Sequence, residues 1–128
     1  VLLDKEALMK KYKLGEMEQR LTELIWENAP VSTRDLIALC AEAFNWKRTT
    51  TYTMLKRLCD RELFVNDSGI VRIIVSKDDF LSKKGEAFLA ETFDGSLPRF
   101  IAAFTRRRKL NEQEVHELQQ LIDEYREE

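Results

Sequence analysis

The stretch Trp46–Leu63, WKRTTTYTMLKRLCDREL, constrains this chain more than any other. Thr51, Met54, Leu55 and Leu58 recur at i, i+3, i+4 and i+7, which predicts a helix over the whole stretch with that stripe buried. The other side carries Lys47, Arg48, Thr49, Thr50, Tyr52, Thr53, Lys56 and Arg57, with no carboxylate before Asp60. A solvated helix face ordinarily mixes both charge signs, so a hydroxyl-rich face edged by cations suits an anionic partner. Hydroxyls can reach phosphate oxygens or base edges, and Lys and Arg can neutralise phosphates or address guanine. These eight residues are the candidate DNA-binding set. The competing reading is a threonine-rich surface helix with incidental charge.

What flanks this helix fits a helix-turn-helix. Leu14–Trp26 reads as a helix with Met17, Leu21, Leu24 and Ile25 inward, opened by Gly15 and Glu18 and ended by Asn28-Ala29-Pro30. Ser32 caps a second helix, with Asp35 three residues on and Leu36, Ile37, Leu39, Cys40 and Phe44 inward. Asn45 then makes a short break before the basic helix. Residues 1–13 read as a loose or helical arm. After Leu63 the period changes: Phe64-Val65, a turn at Asn66-Asp67-Ser68-Gly69 and a strand over Ile70–Val75 predict a hairpin, the wing of a winged helix. Arg72 is the wing's only cation, so its contacts to a DNA backbone should be small.

Residues 76–128 return to helix. Ser76 with Asp79, and Asn111 with Glu114, read as caps, and Asp94-Gly95-Ser96 as a break. The middle helix is expected over Leu97–Lys109. Three short amphipathic helices are too few to enclose a core, and a second copy of the chain would supply the missing face. The candidate dimerisation residues are Phe88, Phe93, Leu97, Phe100, Ile101, Phe104, Leu118, Leu121 and Ile122. The expected fold is therefore mainly α with a small β wing. A winged helix-turn-helix domain over 1–75 is followed by a helical dimerisation domain over 76–128.

Composition narrows the function classes. The net charge is −2, which excludes a uniformly basic nucleic-acid coat. Its distribution is uneven: residues 47–61 hold five cations and one acid, and residues 111–128 hold seven acids and one cation. Cys40 and Cys59 lack paired spacing and His116 stands alone, which argues against zinc, a disulfide framework or a nucleophilic enzyme. No cofactor or metal is expected. No run approaches the ~18 apolar residues of a membrane span, and no signal peptide is visible, so a cytoplasmic protein is expected. A protein–protein interaction module without operator binding is the alternative function; an acid-free basic face has no need to exist in such a module.

Three stretches carry a resemblance to the penicillinase-repressor family of bacterial transcriptional regulators. Leu14, Glu18, Leu21 and Trp26 resemble the family's opening helix. Trp46, Thr50, Thr53, Arg57 and Leu58 resemble its recognition helix. Phe93, Gly95, Ser96, Phe104, Leu110, Asn111, Glu114, Leu118 and Leu121 resemble its dimerisation segment. The resemblance implies a homodimeric winged-helix repressor on a palindromic double-stranded DNA operator. It places Thr50 and Thr53 toward DNA and Arg57 among the phosphate contacts. It leaves Thr49 and Tyr52 to set this chain's own preference and Trp46 to pack at the helix entrance. The β-lactam branch also implies a sensor protease acting near the dimerisation helices, where Phe100–Phe104 is the matching stretch. Two departures stand out. Glu62 replaces the family's usual Gly at the end of the recognition helix, and the wing lacks the usual basic and tyrosine residues. Residues 76–128 contain no cysteine, which excludes the Cu(I) motif of the copper-responsive branch.

Overall fold

The computed structural model describes Lys10 and residues 12–127, so the arm expected over residues 1–13 lies largely outside the described residues. The order of elements is α1 (Glu16–Asn28), β1 (Val31–Ser32), α2 (Thr33–Phe44), α3 (Arg48–Asp60), β2 (Phe64–Asp67), β3 (Ile70–Ile73), α4 (Lys77–Thr92), α5 (Leu97–Arg107) and α6 (Glu112–Tyr125). The mainly helical architecture with a small wing is as the sequence predicts.

Local chemistry sets the helix starts. Ser32, Ser76 and Asn111 each accept a hydrogen bond from the backbone N–H three residues on, at Asp35, Asp79 and Glu114. Each satisfies one of the amides that a helix start leaves without a partner. Glu114 also reaches back to the Asn111 N–H, completing a capping box. At α1 only the glutamate half is possible: the Gly15 N–H donates to Glu18 Oε1 at 3.2 Å.

The core joins α1, α2, α3 and the sheet. Leu21, Ile25, Leu36, Cys40, Leu58, Leu63, Phe64 and Val71 are essentially inaccessible to solvent. Trp26 ties these layers together. Its indole packs against Phe64 and Phe80, and its Nε1–H donates to Val75 O at 3.0 Å. Phe80 and Ala87 of α4 are buried in the same cluster, with Tyr12 edge-on to Phe80.

Several boundaries differ from expectation. The sheet has three antiparallel strands in the order β1-β3-β2, with Val31 opposite Val71, and β1 had no counterpart in the sequence reading. Two residues become strand only because β3 offers its edge. The basic helix is shorter than Trp46–Leu63. Lys47 is extended at φ −73°, ψ 156°, and Glu62 enters the left-handed region at φ 63°, so the helix runs only from Arg48 to Asp60. The left-handed conformation at Glu62 costs about 1 kcal/mol for an L side chain, and a glycine there would adopt it more cheaply. The hairpin turn is tighter than Asn66–Gly69. Asn66 and Asp67 belong to β2, and the turn is Ser68-Gly69 with φ 51° and 90°, the two-residue geometry that matches strand twist. The second strand stops at Ile73 rather than Val75, and α5 ends at Arg107 rather than Lys109.

Candidate nucleic-acid interface

Helix α3 presents the face expected of it. Thr51, Met54, Leu55 and Leu58 are buried, while Lys47, Arg48, Thr49, Tyr52, Thr53, Lys56 and Arg57 are exposed and Thr50 is half-buried. Residues four apart stack into rows along a helix. Thr49, Thr53 and Arg57 form the central row, Arg48, Tyr52 and Lys56 form one edge, and Thr50 lies at the other. Trp46 stands before the helix, half-buried against the core with its ring 4.9 Å from Phe44.

The electrostatics of this face are one-signed. Among the described residues Lys47, Arg48 and Arg57 enter no ion pair, whereas Lys56 is paired with Asp60 at 3.2 Å through two exposed side chains. An exposed i,i+4 pair of this kind is weak and yields easily to another anion. Among the described helices, α3 alone starts with neither a side-chain cap nor an acidic first turn. Its leading amides and the positive end of its dipole therefore face solvent beside Lys47 and Arg48, an arrangement that favours an anion. The Arg48 guanidinium lies over the Tyr52 ring at 5.6 Å.

The Thr53 hydroxyl donates to Thr49 O at 2.9 Å. With its proton committed to the helix, Thr53 offers its neighbours lone pairs and a methyl group, which suits a base amino group or a thymine methyl. The C-terminal end of α3 is held by Arg61, which donates from Nε to Glu18 Oε2 at 3.0 Å and from Nη1 to Lys10 O at 2.8 Å. This partly buried clasp fixes α3 on the start of α1, and the sequence reading missed it.

The wing adds little charge. Arg72 is paired with Asp67 at 3.3 Å across the hairpin. The Thr33 N–H donates to Gly69 O at 2.9 Å and so ties the wing's turn to the start of α2. Arg34, also absent from the sequence reading, stands exposed beside Arg48, and the pattern of α2 pointed only to its apolar face and its cap.

The residues considered for chemistry do not assemble. No group of three or more His, Cys, Asp or Glu among the described residues could hold a metal. Burial pushes the thiols of Cys40 and Cys59 above their ordinary value, which disfavours the thiolate. The buried Thr51 hydroxyl has no oxygen or nitrogen partner among the described residues, and its neighbour is the weakly bonding Cys40 thiol. No described helix is long and apolar enough to cross a membrane.

The candidate dimerisation residues lie on a separate surface. No residue of α5 or α6 is buried. Phe88, Phe93, Phe100 and Phe104 pack ring to ring along one side, with centroid separations between 5.5 and 6.2 Å. Leu97, Leu121 and Ile122 are more than half exposed. A cleft of about 320 Å³ between α5 and α6 is lined by Phe100, Ile101, Phe104, Leu118 and Leu121. The turn closing it is locked by Arg108, which makes two bonds to Glu114 at 2.7 and 3.1 Å and lies 5.0 Å from the Phe104 ring. That partner and the Asn111 N–H hold the Glu114 carboxyl down at about 2.

Comparison with known proteins identifies relatives of this chain. The penicillinase repressor from Staphylococcus aureus is 19% identical over 119 residues, spanning 90% of this chain and 94% of its own length. The penicillinase repressor family model matches residues 14–124, which takes in α1 through nearly all of α6, and the chain belongs to that family.

Proposed function

We propose that this protein is a transcriptional repressor that binds a palindromic DNA operator as a homodimer. The observation that carries this reading is the exposed face of α3, where Lys47, Arg48 and Arg57 enter no ion pair among the described residues and stand around a row of threonines. A helix of this kind enters a major groove and uses its cations for sequence-independent affinity and its hydroxyls for discrimination. Lys47, Arg48, Lys56 and Arg57 bind phosphates, and Thr49, Thr50, Tyr52 and Thr53 read bases. The winged domain is the reader, and the helices after the wing pair two chains. The apolar side chains that α5 and α6 leave exposed support that pairing, because two copies related by a twofold axis would cover them. Pairing fixes the spacing of two α3 helices and so demands a symmetric site.

The test combines sedimentation with selection from a random duplex library. A dimer that enriches an inverted repeat, and releases random-sequence duplex steeply as salt rises, is the expected result. A chain that ignores duplex DNA at low salt would move the function to protein recognition through the same helix.

A further inference from the structure

A cleft of about 350 Å³ separates the first turn of α2 from the first turn of α3. Its walls are Thr33, Arg34, Ile37, Arg48 and Tyr52, and no carboxylate lines it. Neither arginine enters an ion pair among the described residues. Two like charges brought to one cleft repel each other, and among the described residues no carboxylate pairs with either to offset this. Arg48 is pinned over the Tyr52 ring, which pre-orients its fork of donors. The Thr33 amide is already bonded to Gly69 O, so Thr33 has its hydroxyl left to offer.

We infer that this cleft binds a backbone phosphate of the DNA duplex, gripped by Arg34 from α2 and Arg48 from α3. The inference rests on the operator-binding reading and assigns a contact outside the recognition helix. An α-helix with its side chains is about 10–12 Å across and the major groove about 12 Å wide, so a helix seated there has a phosphate strand along each edge. With Thr49 and Thr53 toward the bases, the drift of about 40° for each four-residue step carries Arg57, at the end of the row, toward one strand. The Arg48–Tyr52 edge, with Arg34 beyond it, stands on the side of the other. Guanidinium forks match phosphate oxygens in pairs, and a diester clamped between two helices fixes how deep α3 sits. Tyr52, under Arg48 at 5.6 Å, orients that guanidinium toward the strand.

The experiment measures affinity for a random-sequence duplex between 50 and 200 mM KCl with the full chain and with Arg34→Gln, Arg57→Gln and Lys83→Gln. Lys83 is exposed on α4 and serves as a remote charge control. Each lost phosphate contact should lower the slope of log K against log salt by about 0.9. Arg34→Gln should match Arg57→Gln in slope, while Lys83→Gln keeps the wild-type slope. A wild-type slope in Arg34→Gln, with the slope reduced in Arg57→Gln, would overturn the cleft and leave operator binding standing. An equal slope change in Lys83→Gln would also overturn it, by reducing Arg34 to general charge. A wild-type chain with no salt-dependent binding would remove the operator reading, and the cleft with it.

Discussion

The core of α1–α3 with the sheet and the α5–α6 pair put their apolar side chains to opposite ends. In the first, Leu21, Ile25, Leu36, Leu58 and Leu63 lose essentially all contact with water. In the second, Leu97, Leu121 and Ile122 keep more than half of theirs. A fully buried leucine contributes about 1.5–3 kcal/mol relative to an exposed one, so the core of α1–α3 and the sheet has collected its hydrophobic stabilisation within one chain. The α5–α6 pair has collected little of it. Helix α4 bridges the two regimes: Phe80 and Ala87 lie in the first core, whereas Phe88 turns its ring toward Phe93 and Phe100. The contrast teaches that amphipathic periodicity marks a face to be covered without saying whether the cover comes from the same chain.

Substitutions can break or sharpen that contrast. Leu58→Ala should have the largest effect, lowering unfolding free energy by about 2–5 kcal/mol in urea at every protein concentration. Leu121→Ala should barely change a single chain but weaken self-association about 10–100-fold, since a twofold interface loses the contact twice. Sedimentation equilibrium unchanged by Leu121→Ala would remove α6 from the interface. Arg61→Ala removes the clasp to Glu18 and Lys10 O; with side chains 26% and 11% exposed, the pair is screened only in part, and a loss of about 1–2 kcal/mol is expected by thermal melting. Gly85→Ala should stabilise α4 by about 0.5–1 kcal/mol, because a Cβ there meets nothing within 4 Å.

The last prediction concerns acid. The Glu114 carboxyl sits at about 2, against an ordinary 4.5, held by the Arg108 hydrogen bonds. A depressed carboxyl supports the folded state fully above the unfolded value and loses that support as pH falls through its folded value. The α5–α6 turn should therefore keep this support in full above about pH 4.5 and lose it progressively as pH falls toward about 2. A side-chain carboxyl resonance titrating in the ordinary range would show that Arg108 does not hold it.

Features set over a few residues were legible in the sequence. Ser32, Ser76 and Asn111 cap because the acceptor and its amide are three residues apart. The exposed row Thr49–Thr53–Arg57 follows from helical period alone. Features that depend on distant partners were not legible. Val31–Ser32 is a strand because residues 70–71 lie beside it. Phe80 read as one more apolar residue of the C-terminal helices, and its place between Trp26 and Tyr12 needed three dimensions. Arg34 gave no signal because the residues around it spell out a cap and an apolar face. Its neighbour Arg48 is brought to it by the turn at Asn45, where φ is 57°.

The bare surface of α5 and α6 has a consequence for dosage. If two copies cover it, as proposed, the amount of paired chain varies as the square of chain concentration when pairs are scarce, so halving the chain would leave about a quarter of the pairs. An operator that only the pair can hold would then empty more steeply than the protein disappears. Diluting the repressor through growth, or removing part of it, would act on the regulated genes as a switch rather than a dimmer.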